Sequence, residues 1–413
     1  MHRIDDTPAR RLVILGATGS IGRQALRVVE HLNERARSIE NAPRIEIVGM
    51  SAGSSASDLL ELSSHHGVED LALHTHDTKA PDGVRLRVGE DASTQLVRDT
   101  HPDLVLGAIV GMAGLPSVVG ALQLGIDVAL ANKESLVAGG ALVTRTANEH
   151  NARLIPIDSE HAALWQCLGR YSLPGTALPE NVRRLIITAS GGPFRTWDAQ
   201  RIHDATPEDA LNHPTWSMGP KNTIDSASLM NKALELIEAH WLFGAPSEML
   251  DVYVQPDSIA HAIVQHRDAS SIMQYASPTM LVPIQQAIAF PHVVDSPVES
   301  PDLSDLGSLR FERVDDARFP AIALAHEVIR TGGLSGAIFN ASNEAAVDAF
   351  RRRSIPFGRI SRVVGDTLEE LAPRYQSADR YDLCAILEAS DHARARAWER
   401  CASPDKTPTT VRP

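Results

Sequence analysis

The sequence predicts an α/β protein that begins with a parallel sheet, continues with a second α/β region and ends in a helical bundle. Three observations support this prediction. The chain has 413 residues, which is too long for one ordinary core. Strand-like apolar runs alternate with helical stretches through the first part of the chain, as in a doubly wound sheet. Four amphipathic helical patterns follow near the end.

The predicted strands fall into two groups. The first group forms the N-terminal sheet and consists of RLVILG, RIEIVGMSA, DLVLGAIV, DVALAN and RLIPID. The second group follows Asp158 and consists of RRLIITAS, LDVYVQ and SSIMQYAS. A stretch rich in Pro, Asp and Ser comes next, and we predict a linker over residues 301–320. The four helical patterns occupy residues 321–401, and residues 402–413 are expected to be a tail.

The segment from Leu104 to Ile126 carries no charge and is long enough to span a bilayer. It also contains several glycines, Pro116 and Gln123, and it lacks flanking aromatic residues. We therefore predict a buried strand, a glycine turn and a helix of small residues instead of a membrane span. The N-terminal stretch lacks the apolar run of a signal peptide, so no membrane association is expected.

Composition narrows the class of partner. The chain has 52 acidic and 39 basic residues, a net charge of −13, and no long block of Lys or Arg. Nucleic acid is therefore not an expected partner, because binding it requires a basic face. The three cysteines, Cys167, Cys384 and Cys401, form no CxxC pair, which is typical of a reducing compartment. We expect a cytoplasmic protein.

A glycine-rich motif, GATGSIG at residues 16–22, follows the first predicted strand and opens a helix. Such glycines allow a tight turn and bring backbone N–H groups close to a pyrophosphate at the helix N-terminus. The motif favours a Rossmann-like dinucleotide site, although a glycine-rich turn without a ligand would look the same.

The end of the second strand distinguishes between nicotinamide cofactors. An NAD enzyme usually has an acidic residue here, whereas this chain has Gly53, Ser54 and Ser55. The missing negative charge favours NADP, whose 2′-phosphate the hydroxyls and backbone N–H groups could hold. Neither Arg nor Lys stands at this point of the sequence, so the preference could be weaker than usual.

Charged residues follow two later strands. Lys133 and Glu134 come after DVALAN, at the edge where a doubly wound sheet binds ligands; a solvated ion pair is the alternative. Asp158 and Glu160 follow RLIPID, and in an extended segment they would face the same side. Paired carboxylates repel unless a cation lies between them, and oxygen ligands favour Mg²⁺ or Mn²⁺. A helix N-cap at Asp158 explains this motif equally well.

The stretch from Ser190 to Glu235 is the densest in polar residues. Within DSASLMNKALE, Asn231 and Glu235 lie on one helical face, with Lys232 three residues before Glu235. Serine, asparagine, lysine and histidine side chains suit a phosphate, and Glu235 could join the two earlier carboxylates. From spacing alone, a surface ion pair between Lys232 and Glu235 is the better-supported interpretation.

Seven motifs together resemble the 1-deoxy-D-xylulose 5-phosphate reductoisomerase family in their order along nearly the whole chain. They are GATGSIG, ANKESLV, DSEH, ASGGPFR, HPTWSMG, DSASLMNKALE and FNASNEA. The resemblance implies an NADP-binding Rossmann-like domain over residues 1–157 and a catalytic domain over residues 158–300 that contains a lid at 190–220. It also implies an enzyme that binds NADPH and Mg²⁺ or Mn²⁺, and a homodimer.

The resemblance also assigns roles to individual residues. For the cofactor it implies Thr18, Gly19, Ser20, Ile21, Gly53, Ser54, Ser55, Asn132, Glu134 and Gly219. For the substrate it implies Lys133, Ser159, Glu160, Ser190, His213, Trp216, Ser226, Asn231, Lys232 and Glu235. For the metal it implies Asp158, Glu160 and Glu235. Lys133 and His213 would be the catalytic residues.

In such an enzyme the metal polarises the substrate carbonyl while the carbon skeleton of 1-deoxy-D-xylulose 5-phosphate rearranges. NADPH then delivers hydride, and the product is 2-C-methyl-D-erythritol 4-phosphate. Two alternatives remain. Another NADP-dependent dehydrogenase would leave three carboxylates without a role, and a semialdehyde type would need an activated cysteine. An NADP-binding sensor would not need Lys133 or the acidic residues to be intact.

Overall fold

A computed structural model describes residues 8–37, 43–75, 79–169, 177–212, 219–376 and 381–403. The chain divides into two compact units. Unit 1 combines Met1–Ala189 with Glu235–Arg313, and unit 2 combines Ser190–Leu234 with Val314–Pro413. Each unit is therefore built from two separate stretches of sequence.

Unit 1 contains a seven-stranded sheet in which every strand pair is parallel. Its strands are β1 (Arg10–Leu15), β2 (Ile45–Ala52), β3 (Asp70–Leu73), β4 (Arg85–Val88), β5 (Leu104–Gly107), β6 (Asp127–Leu130) and β7 (Leu154–Pro156). The strand order is β4-β3-β2-β1-β5-β6-β7. The order reverses between β1 and β5, and ligands of doubly wound sheets bind at the carboxyl ends of such strands.

A second sheet in unit 1 has five strands in the order β11-β10-β8-β9-β12. They are β8 (Val182–Ala189), β9 (Leu250–Val254), β10 (Ala260–His266), β11 (Ser271–Tyr275) and β12 (Glu312–Arg313). Strands β8 and β9 are parallel, whereas β10 is antiparallel to both of its neighbours and β12 is antiparallel to β9.

Helices follow most strands of unit 1. They are α1 (Ser20–Ala36), α2 (Ala56–His66), α3 (Ala92–Thr100), α4 (Leu115–Gln123), α5 (Lys133–Glu149), α6 (Ser159–Cys167), α11 (Leu281–Ala289) and α12 (Leu303–Leu306). Helix α10 (Met230–Phe243) begins in unit 2 and continues in unit 1. The strands of the parallel sheet are almost entirely buried at β1, β5, β6 and β7, as expected for a sheet covered on both faces.

Unit 2 is helical. It contains α7 (Ala199–His203), α8 (Pro207–Ala210), α9 (Pro220–Ala227), α13 (Ala321–Thr331), α14 (Ser335–Arg351), α15 (Arg359–Leu371) and α16 (Leu383–Ala402). Phe194, Phe350 and Phe357 pack edge to face in its core. Helix α14 is buried along most of its length, because α15 and α16 pack against it.

The predicted fold class is confirmed, and so are the four C-terminal helices. The segment from Leu104 to Ile126 forms β5, a short 3₁₀ turn and α4, as predicted. Among the helices that the structure describes, none combines the length and the apolar character needed to cross a bilayer. Strands β3, β4, β10 and β12 were not predicted. Residues 301–320 contain α12 and β12, and the sequence-based domain boundaries remain a prediction.

Candidate active site

The glycine-rich motif forms a tight backbone turn between β1 and α1. Gly16 has a φ of +85°, and a Cβ at this position would lie 2.6 Å from the carbonyl oxygen of Ala108, which follows β5. A Cβ on Gly22 would lie 2.4 Å from the carbonyl oxygen of Gly16. The N-cap of α1 is Gly19, which has no side chain to cover the first N–H groups of the helix. Thr18, Ser20 and Ile21 flank this N-terminus, which is suited to bind an anion.

The end of β2 lies beside the same turn, because Gly16 and Ala17 donate backbone hydrogen bonds to the Ser51 carbonyl. Gly53, Ser54 and Ser55 follow β2 and are exposed. The structure adds a residue that the sequence analysis missed. Arg23 in α1 donates to the Thr18 carbonyl at 3.1 Å, and its Nη2 lies 2.6 Å from the Asp58 carboxylate in the first turn of α2.

Arg23 therefore links the glycine turn to the helix that begins after Ser55. Its guanidinium lies between the glycine turn and the first turn of α2, where it is paired with Asp58, and the sequence has no Arg or Lys directly after β2. The contact joins residues 35 positions apart, so local sequence patterns could not reveal it.

Asn132 and Glu134 start α5 at the carboxyl end of β6 and are 3% and 5% exposed. The Asn132 side chain caps the helix by accepting from the Ser135 backbone N–H at 3.0 Å. Its amide group donates to the Gly111 carbonyl and to Glu134 Oε2, at 3.0 and 2.9 Å. Glu134 is thus a buried, hydrogen-bonded carboxylate and not half of a solvated ion pair.

The structure brings the three predicted metal carboxylates together. One oxygen each from Asp158, Glu160 and Glu235 lie within 4.8 Å of one another. Asp158 precedes α6, Glu160 lies in its first turn, and Glu235 comes from α10. The expectation of an extended segment was wrong, because α6 already begins at Ser159. Asp158 does occupy the N-cap position of α6, as the alternative predicted, but its side chain accepts no capping hydrogen bond from the described backbone of that helix.

Lys133 reaches the same cluster from the start of α5. Its Nζ lies 2.6 Å from Asp158 Oδ2 and 3.1 Å from Glu235 Oε1. Burial lowers the pKa of Lys133, but the carboxylates of Asp158, Glu235 and Glu238 outweigh burial, so this pKa lies well above its usual value. Lys133 is therefore an ammonium ion that helps to balance the acidic cluster.

The donor set of this cluster fits a divalent cation. All three candidate ligands are carboxylate oxygens, which Mg²⁺ and Mn²⁺ prefer. Three carboxylates and one ammonium carry a combined charge of −2, so one divalent ion would bring the cluster to neutrality. Glu235 is only 1% exposed, which makes this charge balance energetically important.

The sequence analysis did not predict two further buried residues next to the carboxylates, His161 and Glu238. His161 Nε2 donates to the backbone carbonyl of Glu235 at 2.8 Å, and His161 Nδ1 lies 3.7 Å from Glu238 Oε2. Both side chains are almost completely buried. Burial raises the pKa of Glu238 to about 7, although the nearby His161 favours the ionised carboxylate. These contacts join α6 to α10 over more than 70 residues of sequence.

The candidate phosphate residues Ser190, Ser226, Asn231 and Lys232 all belong to unit 2. The Ser190 hydroxyl accepts from the Gly192 N–H at 3.1 Å, and a Cβ on Gly192 would lie 2.8 Å from the Ser226 carbonyl. Lys232 is only 5% exposed. The interpretation of Lys232 and Glu235 as a surface pair was therefore wrong, because both side chains are buried.

Ser159 and Gly219 lie at helix starts. Ser159 is half-buried, and its hydroxyl donates to Glu160 Oε2 at 2.6 Å. Gly219 precedes α9, and a Cβ there would meet no atom within 4 Å among the described residues. His213 and Trp216 lie in residues 213–218 of the predicted lid, which are outside the residues that the structure describes, so their assigned roles stay sequence-based predictions.

Cys167 bears on the dehydrogenase alternative. This cysteine is the last residue of α6 and is half-buried. Burial raises the pKa of its thiol to about 11, although a backbone hydrogen bond partly opposes this shift. A nucleophilic cysteine needs a lowered pKa, so Cys167 is unsuited to semialdehyde dehydrogenase chemistry.

Family models match three segments that together cover most of the chain. The model described as 1-deoxy-D-xylulose 5-phosphate reductoisomerase matches residues 12–140, and the model of its C-terminal domain matches residues 154–243. The model described as DXP reductoisomerase C-terminal domain matches residues 275–396.

Whole-chain relatives agree with these matches. The chain is 41% identical to 1-deoxy-D-xylulose 5-phosphate reductoisomerase of Cupriavidus pinatubonensis, over 97% of this chain and 100% of the relative. It is 44% identical to the enzyme of that name from Mycobacterium marinum, over 95% and 93%.

Solved structures give the same result. The structure of the Zymomonas mobilis reductoisomerase in complex with NADPH matches with a TM-score of 0.84 and 36% identity, over 96% of this chain and 100% of that one. A DOX-P reductoisomerase in complex with NADPH, fosmidomycin and magnesium matches with a TM-score of 0.84 and 34% identity, over 95% and 98%. On the identity and coverage of these matches, the chain belongs to the 1-deoxy-D-xylulose 5-phosphate reductoisomerase family.

Proposed function

We propose that this protein converts 1-deoxy-D-xylulose 5-phosphate to 2-C-methyl-D-erythritol 4-phosphate, using NADPH and a divalent metal ion, in isoprenoid precursor biosynthesis. Family membership over nearly the whole chain supports the reaction. The observation that carries it in this chain is the convergence of Asp158, Glu160 and Glu235 beside Lys133. A simple dehydrogenase would not require that cluster.

The three carboxylates would hold Mg²⁺ or Mn²⁺, and magnesium is the ion present in the related structure with NADPH and fosmidomycin. When bound, the ion supplies Lewis-acid polarisation of substrate oxygens. Lys133 would donate hydrogen bonds to the same oxygens, since its ammonium is held at the cluster. Ser159 and Glu160 would orient the substrate from the start of α6.

NADPH would bind across the carboxyl ends of β1 and β2. The N-terminus of α1 at Thr18–Ile21 would receive the pyrophosphate, because the N-cap Gly19 leaves the first N–H groups of the helix without a side-chain cap. Gly53, Ser54 and Ser55 would hold the 2′-phosphate end, and Arg23 would add a positive charge. Asn132, Glu134 and Gly219 are proposed to contact other parts of the cofactor.

The substrate phosphate would bind to Ser190, Ser226, Asn231 and Lys232. The close backbone approach of Gly192 to Ser226 supports this grouping of the two serines. A buried lysine provides a charge-assisted hydrogen bond that is stronger than an exposed one. His213 and Trp216 are proposed to contact the substrate from the lid, with His213 taking part in catalysis.

We expect a homodimer in the cytoplasm. The family resemblance supports the dimer, and light scattering of the purified protein would measure it. The location follows from the cysteine usage, since three cysteines without a CxxC pair suit a reducing compartment.

The reaction is tested by mixing purified protein with 1-deoxy-D-xylulose 5-phosphate, NADPH and Mn²⁺. We expect loss of nicotinamide absorbance and formation of 2-C-methyl-D-erythritol 4-phosphate. Aspartate semialdehyde with NADPH, and homoserine with NADP⁺ in place of NADPH, serve as control substrates for the dehydrogenase alternative. If the folded protein leaves NADPH unchanged with authentic substrate, or turns over a control substrate instead, the proposed function is wrong.

A further inference from the structure

The residue directly before Ser226 is a fully buried carboxylate. Asp225 in α9 is 0% exposed, so its negative charge has lost its hydration. Lys221, one helical turn earlier, places Nζ 2.8 Å from Asp225 Oδ2. Asn343 in α14 donates its side-chain amide to Asp225 Oδ1, also at 2.8 Å. Because a carboxylate only accepts, the donor NH₂ of Asn343 must face it.

Asp225 lies near the C-terminal end of α9, just before the chain turns into α10. Helix α9 ends at Ala227, and α10 begins at Met230. Between them Leu229 has a φ of +59°, a left-handed conformation that is unfavourable for a bulky residue. The Ser228 hydroxyl bonds to the carbonyls of Ile224 and Asp225, each at 3.2 Å.

The corner between α9 and α10 carries three of the four candidate phosphate residues. Ser226 precedes the strained Leu229, whereas Asn231 and Lys232 follow it. The fourth residue, Ser190, is connected through Gly192, whose backbone packs against the Ser226 carbonyl. A shift of α9 would therefore change the position of Ser226 relative to the other three candidate phosphate residues.

We propose that Asn343 is a positioning residue for the substrate phosphate, acting through Asp225 to fix the corner between α9 and α10. The inference rests on the proposed function, because it takes the phosphate of that substrate as the ligand of the corner. The proposal also gives a role to the FNASNEA motif, which supplies none of the candidate site residues. Asn343 belongs to this motif and lies in α14, a buried helix of the C-terminal bundle. The bundle would thus help to build the phosphate site.

Asn343→Ala tests the proposal, with Asn340→Ala as the matched control. Asn340 is an equally buried asparagine of α14, but its amide donates to Glu344 of the same helix at 3.1 Å. We expect Asn343→Ala to raise KM for 1-deoxy-D-xylulose 5-phosphate about tenfold, because a hydrogen bond to a charged group is lost. We expect kcat and the Kd for NADPH to change less than about twofold, and Asn340→Ala to leave KM near the wild-type value.

Two further variants keep the test decisive. If Asn343→Ala does not fold, Lys221→Met removes the other Asp225 contact from a half-buried position and should raise KM in the same direction. The double variant Asp225→Asn with Asn343→Asp restores a donor and an acceptor across the same gap. We expect the double variant to have a lower KM than Asp225→Asn alone or Asn343→Asp alone. A general loss of stability would not produce this recovery.

Phosphate binding is also measured without turnover. Inorganic phosphate should raise the Tm of the wild type and of Asn340→Ala, and raise the Tm of Asn343→Ala distinctly less. An inactive wild type with this pattern would reject the proposed function and keep the positioning role. An active wild type whose KM and phosphate-dependent Tm shift are unaffected by Asn343→Ala, or equally affected by Asn340→Ala, would overturn the inference.

Discussion

The glycine turn at residues 16–22 and the carboxylate cluster around Glu235 are built in opposite ways. The turn is made of backbone groups from one continuous stretch, where Gly16 and Gly22 leave no space for a Cβ. The cluster is made of charged side chains from three stretches of sequence, which contribute Lys133, the pair Asp158 and Glu160, and Glu235. One region depends on the absence of side chains, and the other depends on balanced charge.

This difference predicts how each region responds to change. Adding a methyl group should damage the turn, whereas changing a charge without changing volume should leave folding there intact. In the cluster, a charge change at constant volume should be the damaging one, because the function depends on a charge that an isosteric amide would remove. The following variants test this contrast in order of expected effect.

Glu235→Gln should have the largest effect. The substitution keeps the volume of a side chain that is 1% exposed and removes one of the three negative charges at the metal site. We expect turnover at limiting Mn²⁺ to fall by more than about 100-fold. This loss is larger than the loss expected when a residue that only hydrogen-bonds to a metal ligand is changed. The Kd for NADPH, measured by fluorescence, should stay within about twofold.

Glu344→Gln is the control for that change. Glu344 pairs with Arg394 at 2.9 Å and lies in unit 2, outside the cluster. Turnover should remain close to that of the wild type at every metal concentration. Full activity of Glu235→Gln at limiting metal would show that its carboxylate is not a ligand.

Lys232→Ala extends the contrast to the candidate phosphate site. If Lys232 binds the substrate phosphate as proposed, removing its buried ammonium should cost about 1.5–3 kcal/mol of substrate binding, which is about 10- to 150-fold in KM. Steady-state kinetics with varied 1-deoxy-D-xylulose 5-phosphate measure this change. An unaltered KM would exclude a contact between Lys232 and the phosphate.

Gly22→Ala tests the turn itself. The new Cβ would lie 2.4 Å from the Gly16 carbonyl oxygen and 2.5 Å from Ala17 Cα, so the backbone must move. We expect the free energy of unfolding to fall by about 1–3 kcal/mol, as for other overpacked sites, together with weaker NADPH binding. Gly53→Ala, where a Cβ meets nothing within 4 Å among the described residues, should leave unfolding unchanged. Equal stability of both variants in denaturant titrations would contradict the description of the turn.

Ser54→Asp should have the smallest effect. A carboxylate at the end of β2 would repel a 2′-phosphate and could accept from a 2′-hydroxyl. We expect the ratio of kcat/KM for NADPH over NADH to fall by about tenfold, because Ser54 is exposed and solvent would screen the new carboxylate. A wild type that uses NADPH and NADH equally would make this interpretation of the strand end wrong.

The sequence predicted the parts of the fold that local patterns encode. Apolar runs such as LVIL in β1 and VAL in β6 predicted the buried parallel strands, since such strands are apolar on both faces. Strand β4, RLRV, has no buried residue and lies at the sheet edge, so its pattern carried little signal. Strand β10 was missed because His and Gln interrupt its apolar run.

The site was predictable where residues act through their own neighbourhood in sequence. The turn at residues 16–22 is one such case. By contrast, the charge balance between Lys133 and Glu235 joins residues 102 positions apart, and the Arg23 contact with Asp58 spans 35. Burial of Lys232 likewise depends on tertiary packing, which is why spacing alone favoured a surface pair.

Direct measurement of Mn²⁺ binding tests the central claim that Asp158, Glu160 and Glu235 hold one divalent ion. The free Mn²⁺ signal in electron paramagnetic resonance is titrated with protein, with substrate present and NADPH absent. We predict one Mn²⁺ bound per chain for the wild type and for Glu344→Gln, and at least about tenfold weaker binding for Glu235→Gln. Equal binding by the wild type and Glu235→Gln, or no binding by the wild type, would contradict the account.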